Sequence, residues 1–156
     1  MESSDIKMGT GIDNSINSLI KYDYNALIGV ETATGYWGLS SFYSPRPITL
    51  ISDNRLDNNG YEAEGAINML FVPDVNLENI VNLSEHLRIT DLEQTVVDMV
   101  RYNRHEFHLY ETLISAIDDK MADLDRLEKL ARQYNVWDKM QELLKEALIA
   151  EEEDNE

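Results

Sequence analysis

The sequence predicts an α+β fold in which helices pack a small sheet of about three to four strands and dominate the C-terminal half. Apolar residues alternate or run continuously at residues 47–53, 67–72 and 87–90, which is typical of strands. Helical spacing replaces strand spacing at Asp91 and continues almost to the end of the chain. The 156 residues are enough for one domain with a sizeable core.

The change of period lies in residues 86–102, HLRITDLEQTVVDMVRY, which we call the pivot segment. Leu87 and Ile89 alternate with polar residues, as in a half-buried strand. Asp91 is the predicted N-cap of the helix that follows, and Gln94 stands three residues later, as a capping box requires. The buried face of that helix is predicted to comprise Leu92, Val96, Met99 and Val100. A strand is therefore expected to lead directly into a buried helix.

Two helices are predicted before the first strand. Residues 1–10 are expected to be disordered, and apolar spacing places a short helix at about Asp13–Lys21. Asn25 is positioned to cap a second helix, which Gly38 ends. The broad apolar face of this second helix comprises Leu27, Ile28, Val30, Ala33, Thr34 and Trp37.

Three strands are predicted before the pivot segment, and a fourth lies within it. ITLISD follows Pro47 and is rich in β-branched residues, which favours a strand. The continuous apolar run INMLFV predicts a central strand covered on both faces. Asn79–Leu83 is predicted to pair with Leu87–Thr90 as a hairpin across Ser84 and Glu85.

Three helices are predicted after the pivot segment. Asn103 and Glu106 have capping-box spacing and start the first, a second spans about Lys120–Tyr134, and Asn135 caps the third. Their inward residues are predicted to be Leu109, Leu113, Ala116 and Ile117, then Leu124, Leu127, Ala131 and Tyr134, then Val136, Met140, Leu143, Leu144 and Ala147. Residues 11–150 are expected to form a single domain, and residues 151–156 an acidic disordered tail.

Composition argues against several classes of protein. Cysteine is absent, which excludes disulfides and thiolate chemistry. No apolar run approaches the ~18 residues of a membrane span, and the N-terminus lacks the pattern of a signal peptide. A cytoplasmic protein is expected.

The net charge is −17, from 30 acidic and 13 basic side chains. The last six residues hold five of the acids, so residues 1–150 still carry −12. Such a surface repels duplex phosphates, and no clustered Lys and Arg favour counterion release, so no direct DNA binding is expected. A basic protein partner would be attracted. Acidity that serves only solubility is the alternative.

The sequence gives no case for an enzyme, a cofactor or a metal. The nearest approach to a metal cluster is His105, Glu106, His108 and Glu111. One turn beyond His108 stands Thr112, which offers no further ligand. Glu93 and Asp98 point about 140° apart on their helix, so they do not form a carboxylate pair.

The pivot segment resembles the AbiEi-type antitoxins, whose corresponding segment usually reads S/T-P-E-R-T-L-hydrophobic-D. Glu93, Thr95 and Asp98 match that pattern, whereas Leu92 replaces its proline and Gln94 its arginine.

ALIGVETATGYWGLSSF resembles a second segment of the same family, a helix of the kind ALESALALHGLS. Trp37 stands here in place of a histidine. The matching residues are Glu31, Ala33, Gly38, Leu39 and Ser40.

The resemblance spans roughly Asn25 to Leu148. It implies an antitoxin of a type IV toxin–antitoxin system, used in abortive infection and phage defence, that opposes a nucleotidyltransferase-like toxin of the AbiEii type. Full-length members carry an N-terminal winged helix-turn-helix, and the roughly 24 residues before the match are too few for one. The expected partner is that toxin, antagonised directly or functionally.

Contacts with the toxin are expected on exposed faces after Asp91 and on the strand before it. The candidate partner-binding residues are Arg88, Glu93, Asp98 and Arg101. Two other functions stay open: an acidic interaction module or nucleic-acid mimic that occupies another basic protein, and a transcriptional co-regulator acting through a separate DNA-binding subunit.

Overall fold

The computed structural model describes residues 26–42, 48–52, 67–73, 75–83 and 87–154. Within these residues, five strands form one mixed sheet and five helices pack with it, which confirms the predicted α+β class. The predicted N-terminal disorder at 1–10, the helix at Asp13–Lys21 and the cap at Asn25 lie outside the described residues.

The strands are β1 (Ala26–Ile28), β2 (Ile48–Ser52), β3 (Ile67–Phe71), β4 (Ile80–Asn82) and β5 (Leu87–Thr90). The helices are α1 (Val30–Trp37), α2 (Leu92–Arg101), α3 (Glu106–Leu113), α4 (Leu124–Gln133) and α5 (Trp137–Asp154), and a π-helical turn at Ile114–Asp118 extends α3. The sheet order is β3-β2-β1-β5-β4. β1 lies parallel to β5 and antiparallel to β2, β2 and β3 are parallel, and the predicted hairpin of β4 and β5 is confirmed.

The centre of the sheet corrects one prediction, because the helix expected from Asn25 to Gly38 begins only at Val30. Leu27 and Ile28 belong to β1 and point to opposite faces of the sheet. Leu27 packs with Ile51 on one face, while Ile28 belongs to the apolar cluster on the other. A strand of three residues is too short to show a period, so pairing with β2 and β5 decides its structure.

The position of β3 corrects a second prediction. INMLFV was expected at the centre of the sheet, but β3 is the last strand in the described sheet and pairs with β2. Asn68 is exposed, and Leu70 and Phe71 are half-buried. A continuous apolar run predicts that a strand is buried by neighbouring elements. It does not predict the order of strands, which depends on distant segments that pair between them.

Two asparagines expected to start helices instead end the preceding ones. Asn103 and Asn135 adopt left-handed φ angles of 50° and 60°. After Asn103, the Arg104 N–H donates to the Met99 carbonyl at 3.1 Å, which closes α2 with the bond pattern of a Schellman turn. Asparagine tolerates this conformation better than most residues, so the same residue type marks either helix end.

The helices α3 and α4 begin later than predicted. α3 has His105 as its N-cap, without a side-chain bond, and α4 begins after Asp123, whose carboxylate accepts from the Arg126 N–H at 3.2 Å. Leu124, expected to point inward, is 38% exposed. α5 runs to Asp154, so residues 151–154, expected to be disordered, are helical.

The core has two main parts. One lies between α1 and a face of the sheet and includes Ile28, Leu50 and Ile89. The larger part joins α2 to the helices after it, and it contains the predicted residues Val96, Met99 and Val100, all fully buried. α2 therefore holds the sheet layer to the helical half through its buried face.

Candidate functional site

Asp98 lies inside the protein, which corrects its expected place on an exposed face of α2. It is 3% exposed. Gln94 Nε2 donates to its Oδ1 at 2.8 Å, and Arg101 Nη1 lies 3.2 Å from the same oxygen. A buried carboxylate needs such partners, since desolvating it alone costs several kcal/mol.

Arg101 is also largely covered, with 12% of its side chain exposed. Its guanidinium lies 4.0 Å from the centre of the Tyr134 ring and 4.8 Å from that of Tyr102, so it forms cation–π contacts as well as the ion pair with Asp98. Arg101 therefore connects α2 to the end of α4.

Glu93 faces α4 rather than open solvent. It forms an ion pair with Arg126, and its Oε2 accepts from the Asp123 N–H at 2.9 Å. Arg126 Nη2 also donates to Asp91 Oδ2 at 2.7 Å and to Asn79 Oδ1 at 3.1 Å. The hydrogen bond with Asp91 and the surrounding negative charge raise the pKa of Arg126.

These side chains form one connected set, which we call the pivot network. Its members are Asn76, Asn79, Asp91, Glu93, Gln94, Asp98, Arg101, Arg126 and Tyr134. Asp91 accepts from the Gln94 N–H at 2.9 Å, which confirms the predicted N-cap. The capping box is not reciprocated, because the Gln94 amide binds Asn79 and Asp98, and the Asp91 N–H donates to the Asn79 carbonyl.

Arg88 stands apart from this set. It is half-buried on β5, where its Cα partners are Leu27 and Asn82. Among the described residues, no hydrogen bond joins Arg88 to the pivot network. The structure thus brings Glu93, Asp98 and Arg101 together through internal bonds, and it does not arrange the four candidates as one exposed patch.

A different feature is open to solvent: a concave surface of about 570 Å³ between α3, its π-helical turn and the C-terminal part of α5. We call it the acidic groove. Its lining residues are Gly38, Leu39, Ser40, Glu106, Phe107, Tyr110, Glu111, Ile114, Ser115, Asp119, Ala147, Ala150 and Glu151. Four of them carry carboxylates, and none of these described residues is lysine or arginine.

The groove arises from a second apolar stripe on α3. Leu109 and Leu113 form the buried stripe that the sequence predicts. Phe107, Tyr110 and Ile114 follow one another at i, i+3 and i+7, so they lie on another face of the same helix. Phe107 is 57% exposed, and the lining of the groove also includes the small side chains of Ala147 and Ala150 on α5.

The π-helical turn shapes one end of the groove. The Asp119 N–H donates to the Ile114 carbonyl at 2.9 Å, the i→i+5 bond of a π-helix. Asp119 is the C-cap of this turn, and both Asp119 and Ile114 line the groove. Lys120 then adopts a left-handed φ of 60° and ends the turn.

Gly35 in α1 and Gly38 at its C-cap shape the edge of the groove that residues 38–40 contribute. Gly38 has a φ of +77°, which a glycine adopts without strain, and it turns the chain back after α1. A Cβ at Gly35 would lie 2.5 Å from the Phe42 carbonyl oxygen, so only glycine permits this close approach. The returning segment places Ser41 against Glu111.

Glu111 is held in position at this edge. The Ser41 N–H and hydroxyl each donate to its Oε1 at 2.9 Å, and His108 Nδ1 lies 3.1 Å from the same oxygen. Although desolvation opposes it, the bonds from Ser41 and His108 lower the pKa of Glu111 below its ordinary value. The Glu111 carboxylate is therefore charged at neutral pH.

The potential in the groove is negative beside its aromatic side chains. Tyr110 donates its hydroxyl to Glu146 at 3.1 Å. Partial burial, this bond to Glu146 and the charge of Glu106 raise the pKa of Tyr110. The carboxylates that line the groove favour a cation at its rim, and aromatic faces beside carboxylates suit a guanidinium or ammonium group.

The histidines near the groove pack rather than gather as metal ligands. The ring centres of His105 and His108 are 5.3 Å apart, and His108 also contacts Phe42 and Phe107 edge-on. In the part of the chain that the structure describes, no three His, Asp or Glu side chains converge as a metal site would require.

Comparison of the chain with protein-family models and with curated proteins finds no match. Across the described ranges, none of the helices combines the length and the apolar character that a membrane span needs.

The acidic groove was missed at the level of sequence although its signal is present. Phe107, Tyr110 and Ile114 have helical spacing, and Glu106 and Glu111 flank them. A helix with one buried stripe and a second stripe between acids offers two faces, one for the core and one for another surface. The contribution of α5 to the groove has no such signal, because it depends on how α5 packs against α3.

Proposed function

We propose that this protein is a cytoplasmic antitoxin of the AbiEi type, which neutralises a nucleotidyltransferase-like toxin of the AbiEii type. The observation that carries the proposal is the likeness of two segments to the family pattern, and several of the matching residues have structural roles in the fold. Glu31 is 7% exposed and accepts from Arg104 Nε through both oxygens at 3.1 Å. Gly38 has its left-handed φ, and Asp98 its buried pair with Arg101.

The two matching segments also meet in space. Thr95 in the pivot segment lies with its hydroxyl 2.6 Å from that of Thr90. Trp37, the last residue of α1 in the other segment, donates its Nε1–H to the Thr90 carbonyl at 2.9 Å. The two segments therefore form one part of the folded core.

The charge of the chain fits the proposed partner. A toxin that handles nucleotides or RNA needs a basic groove, and a net charge of −17 complements such a surface. Neutralisation by direct contact and neutralisation by acting against the toxin's product both satisfy this proposal.

The proposal is tested by co-expression with a cognate nucleotidyltransferase-like toxin. We expect growth rescue by the wild-type chain, measured as colony counts after toxin induction. Gly38→Val, which forces a β-branched residue into the left-handed φ of +77°, is expected to lose rescue together with the fold. Failure of the well-folded wild type to rescue cells from an active toxin would overturn the antitoxin proposal.

A second candidate function is an acidic interaction module for another basic protein, and the acidic groove favours it. A co-regulator that acts through a separate DNA-binding subunit is the third. An adjacent nucleotidyltransferase-like reading frame supports the antitoxin, whereas its absence together with capture of a different basic protein supports the module.

We also expect the isolated protein not to bind duplex DNA at physiological salt. The charge of −17 repels phosphates, and counterion release needs clustered basic side chains. Sub-micromolar binding in a gel-shift assay, weakened by added salt, would contradict this expectation and favour the co-regulator.

A further inference from the structure

The apolar part of the acidic groove is a narrow strip along α3. Phe107, Tyr110 and Ile114 follow one another on one face of the helix, over a length of about 10 Å at the usual helical rise. Phe107 is 57% exposed, and the small side chains of Ala147 and Ala150 line the groove from α5. A strip that is one side chain across suits a slender carbon chain better than a bulky apolar group.

Carboxylates lie at intervals along this strip. Glu106 is the first residue of α3 and Asp119 follows the π-helical turn, which places the two roughly 20 Å apart along the helix axis. Glu111 lies between them in the chain, and Glu151 lines the groove from α5. Charges separated in this way are neutralised best by several cations joined through apolar carbon, because a single cation reaches only one or two of them.

The described part of the fold supplies these carboxylates with no lysine or arginine. Glu106, Asp119 and Glu151 form no ion pair with either residue type among the described residues. Glu111 accepts from Ser41 and lies beside His108. A cationic ligand would therefore gain attraction without displacing a lysine or arginine of the described fold.

The last turn of α5 gives an independent indication of a cation. Residues 151–153 are consecutive glutamates in this turn, and the turn carries no basic residue. Negative charge at a helix C-terminus opposes the helix dipole, and neighbouring carboxylates repel one another. Because Glu151 also lines the groove, a cation bound there would offset both effects and favour the helical form of this wall.

We propose that the acidic groove binds a linear aliphatic polyamine, a chain of ammonium groups joined by short methylene spacers. Its methylene groups lie along Phe107 and Ile114, and its ammonium groups lie beside Glu106, Asp119 and Glu151. An ammonium group next to the Phe107 ring also gains cation–π attraction. The groove volume of about 570 Å³ is within the range of small-ligand sites. This site does not depend on the antitoxin function, and it adds a ligand whichever of the functions above holds.

Two other classes of cation fit the groove less well. A metal ion needs several ligands around one point, and in the described structure no three His, Asp or Glu side chains converge in that way. A basic helical segment of a protein presents branched apolar anchors on a broad face, which need a wider surface than the strip on α3. A polyamine carries its charges within its carbon chain, as the sequence of acids and apolar side chains along the groove requires.

The probe is spermine, titrated into the isotope-labelled full chain at constant ionic strength, and amide chemical shifts report where it binds. We expect shifts concentrated at Phe107, Tyr110, Ser115 and Glu151. Mg²⁺ is the inorganic control, and we expect it to bind about tenfold more weakly, since it gains nothing from the apolar strip. Equal affinities, or shifts spread over the whole acidic surface, would reduce the effect to general counterion attraction and overturn the proposal.

Matched variants, checked by circular dichroism for wild-type helical content, separate the groove from the rest of the acidic surface. Glu151→Gln removes a charge from the groove, and Glu152→Gln removes an exposed neighbouring charge on α5 that does not line it. Glu151→Gln should weaken spermine binding about fivefold, and Glu152→Gln by less than about twofold. Equal losses in the two variants would overturn the proposal.

The contribution of the apolar strip is measured by a second pair of variants. Phe107→Ala should weaken spermine binding about fivefold. Ile149→Ala is the control, because Ile149 is 56% exposed, against 57% for Phe107, and does not line the groove. It should leave the affinity unchanged, and equal losses in this pair would also contradict the proposal.

A basic helical peptide is the competing occupant. It has about 12 residues, with leucines and as many arginines as spermine has amines on one face. We expect it to bind more weakly than spermine and to be displaced by it. Tighter binding of the peptide at the same amides would identify the groove as a docking site for a basic protein segment and overturn the polyamine proposal.

Binding of spermine to the folded chain should also raise the melting temperature of the wild type, and raise that of Glu151→Gln by less. A melting temperature that spermine leaves unchanged would count against the site.

Discussion

The pivot network and the acidic groove use the same carboxylates and aromatic rings for opposite purposes. In the network, Asp98 and Glu93 are covered and bound to arginines that cross from one element to another. In the groove, Glu106 and Glu151 are exposed and face no described cation. The two regions therefore differ in whether the fold supplies a counter-charge for the acid or leaves the acid exposed to solvent.

This difference in counter-charge also affects which residues are suitable for testing contact with a partner. Of the four candidates named from the sequence, Glu93, Asp98 and Arg101 are occupied by internal bonds, so substituting them would change stability together with any binding. The groove offers exposed side chains whose removal leaves the core intact, and these discriminate binding from folding.

The largest expected effect contrasts the core face of α2 with the groove face of α3. Val96→Asp places a charge at a fully buried position and should lower the free energy of unfolding by about 4 kcal/mol. Phe107→Asp adds the same charge at an exposed position in the first turn of α3, and should change it by less than about 0.5 kcal/mol. Urea unfolding followed by circular dichroism measures both. Equal destabilisation would remove the distinction between the two faces.

A smaller effect is expected from removing one carboxylate in each region. Asp98→Ala deprives Arg101 and Gln94 of their shared acceptor in a buried setting, so we expect a loss of about 3 kcal/mol. Glu151→Ala removes an exposed groove carboxylate and should change stability by less than about 0.5 kcal/mol. Thermal unfolding of the two variants and the wild type measures these changes in stability. A tolerant Asp98→Ala would show that the pivot network contributes little to stability.

The smallest expected effect concerns Glu111, the one groove acid that the fold itself binds through Ser41. Its pKa is lowered from the ordinary value of 4.5, so its contribution to stability is complete above that pH and is lost as pH falls through the lower folded pKa. Glu111→Gln keeps an acceptor for Ser41 but removes the titration. The variant should therefore lose less stability than the wild type between pH 6 and about pH 3.

Unfolding by urea across this pH range measures the Glu111 effect, and Glu106→Gln in the same helix is the control. Identical pH dependence of the wild type and Glu111→Gln would show that the bonds from Ser41 do not stabilise the charged form in solution.

The sequence alone determined the features that depend on residues close to one another in the chain, because hydrophobic periodicity and helix capping involve only a few neighbouring residues. The α+β class, β5 with its hairpin partner β4, the cap at Asp91 and the buried face of α2 all follow from local pattern. The stop at Gly38 does too, because only a residue without a side chain adopts a φ of +77° freely.

Tertiary structure alone decided the features that depend on distant neighbours. β1 is a strand because β2 and β5 pair with it on both sides, and β3 ends the described sheet because β1 lies between β2 and β5. Arg101 lies three residues from Asp98 on α2, but the ring stacked on its guanidinium is that of Tyr134 at the end of α4, and the groove needs α5, which adds Ala147, Ala150 and Glu151 to the lining. Local sequence sets the preference of each segment, but burial and charge pairing are properties of surfaces that meet only when the chain is folded.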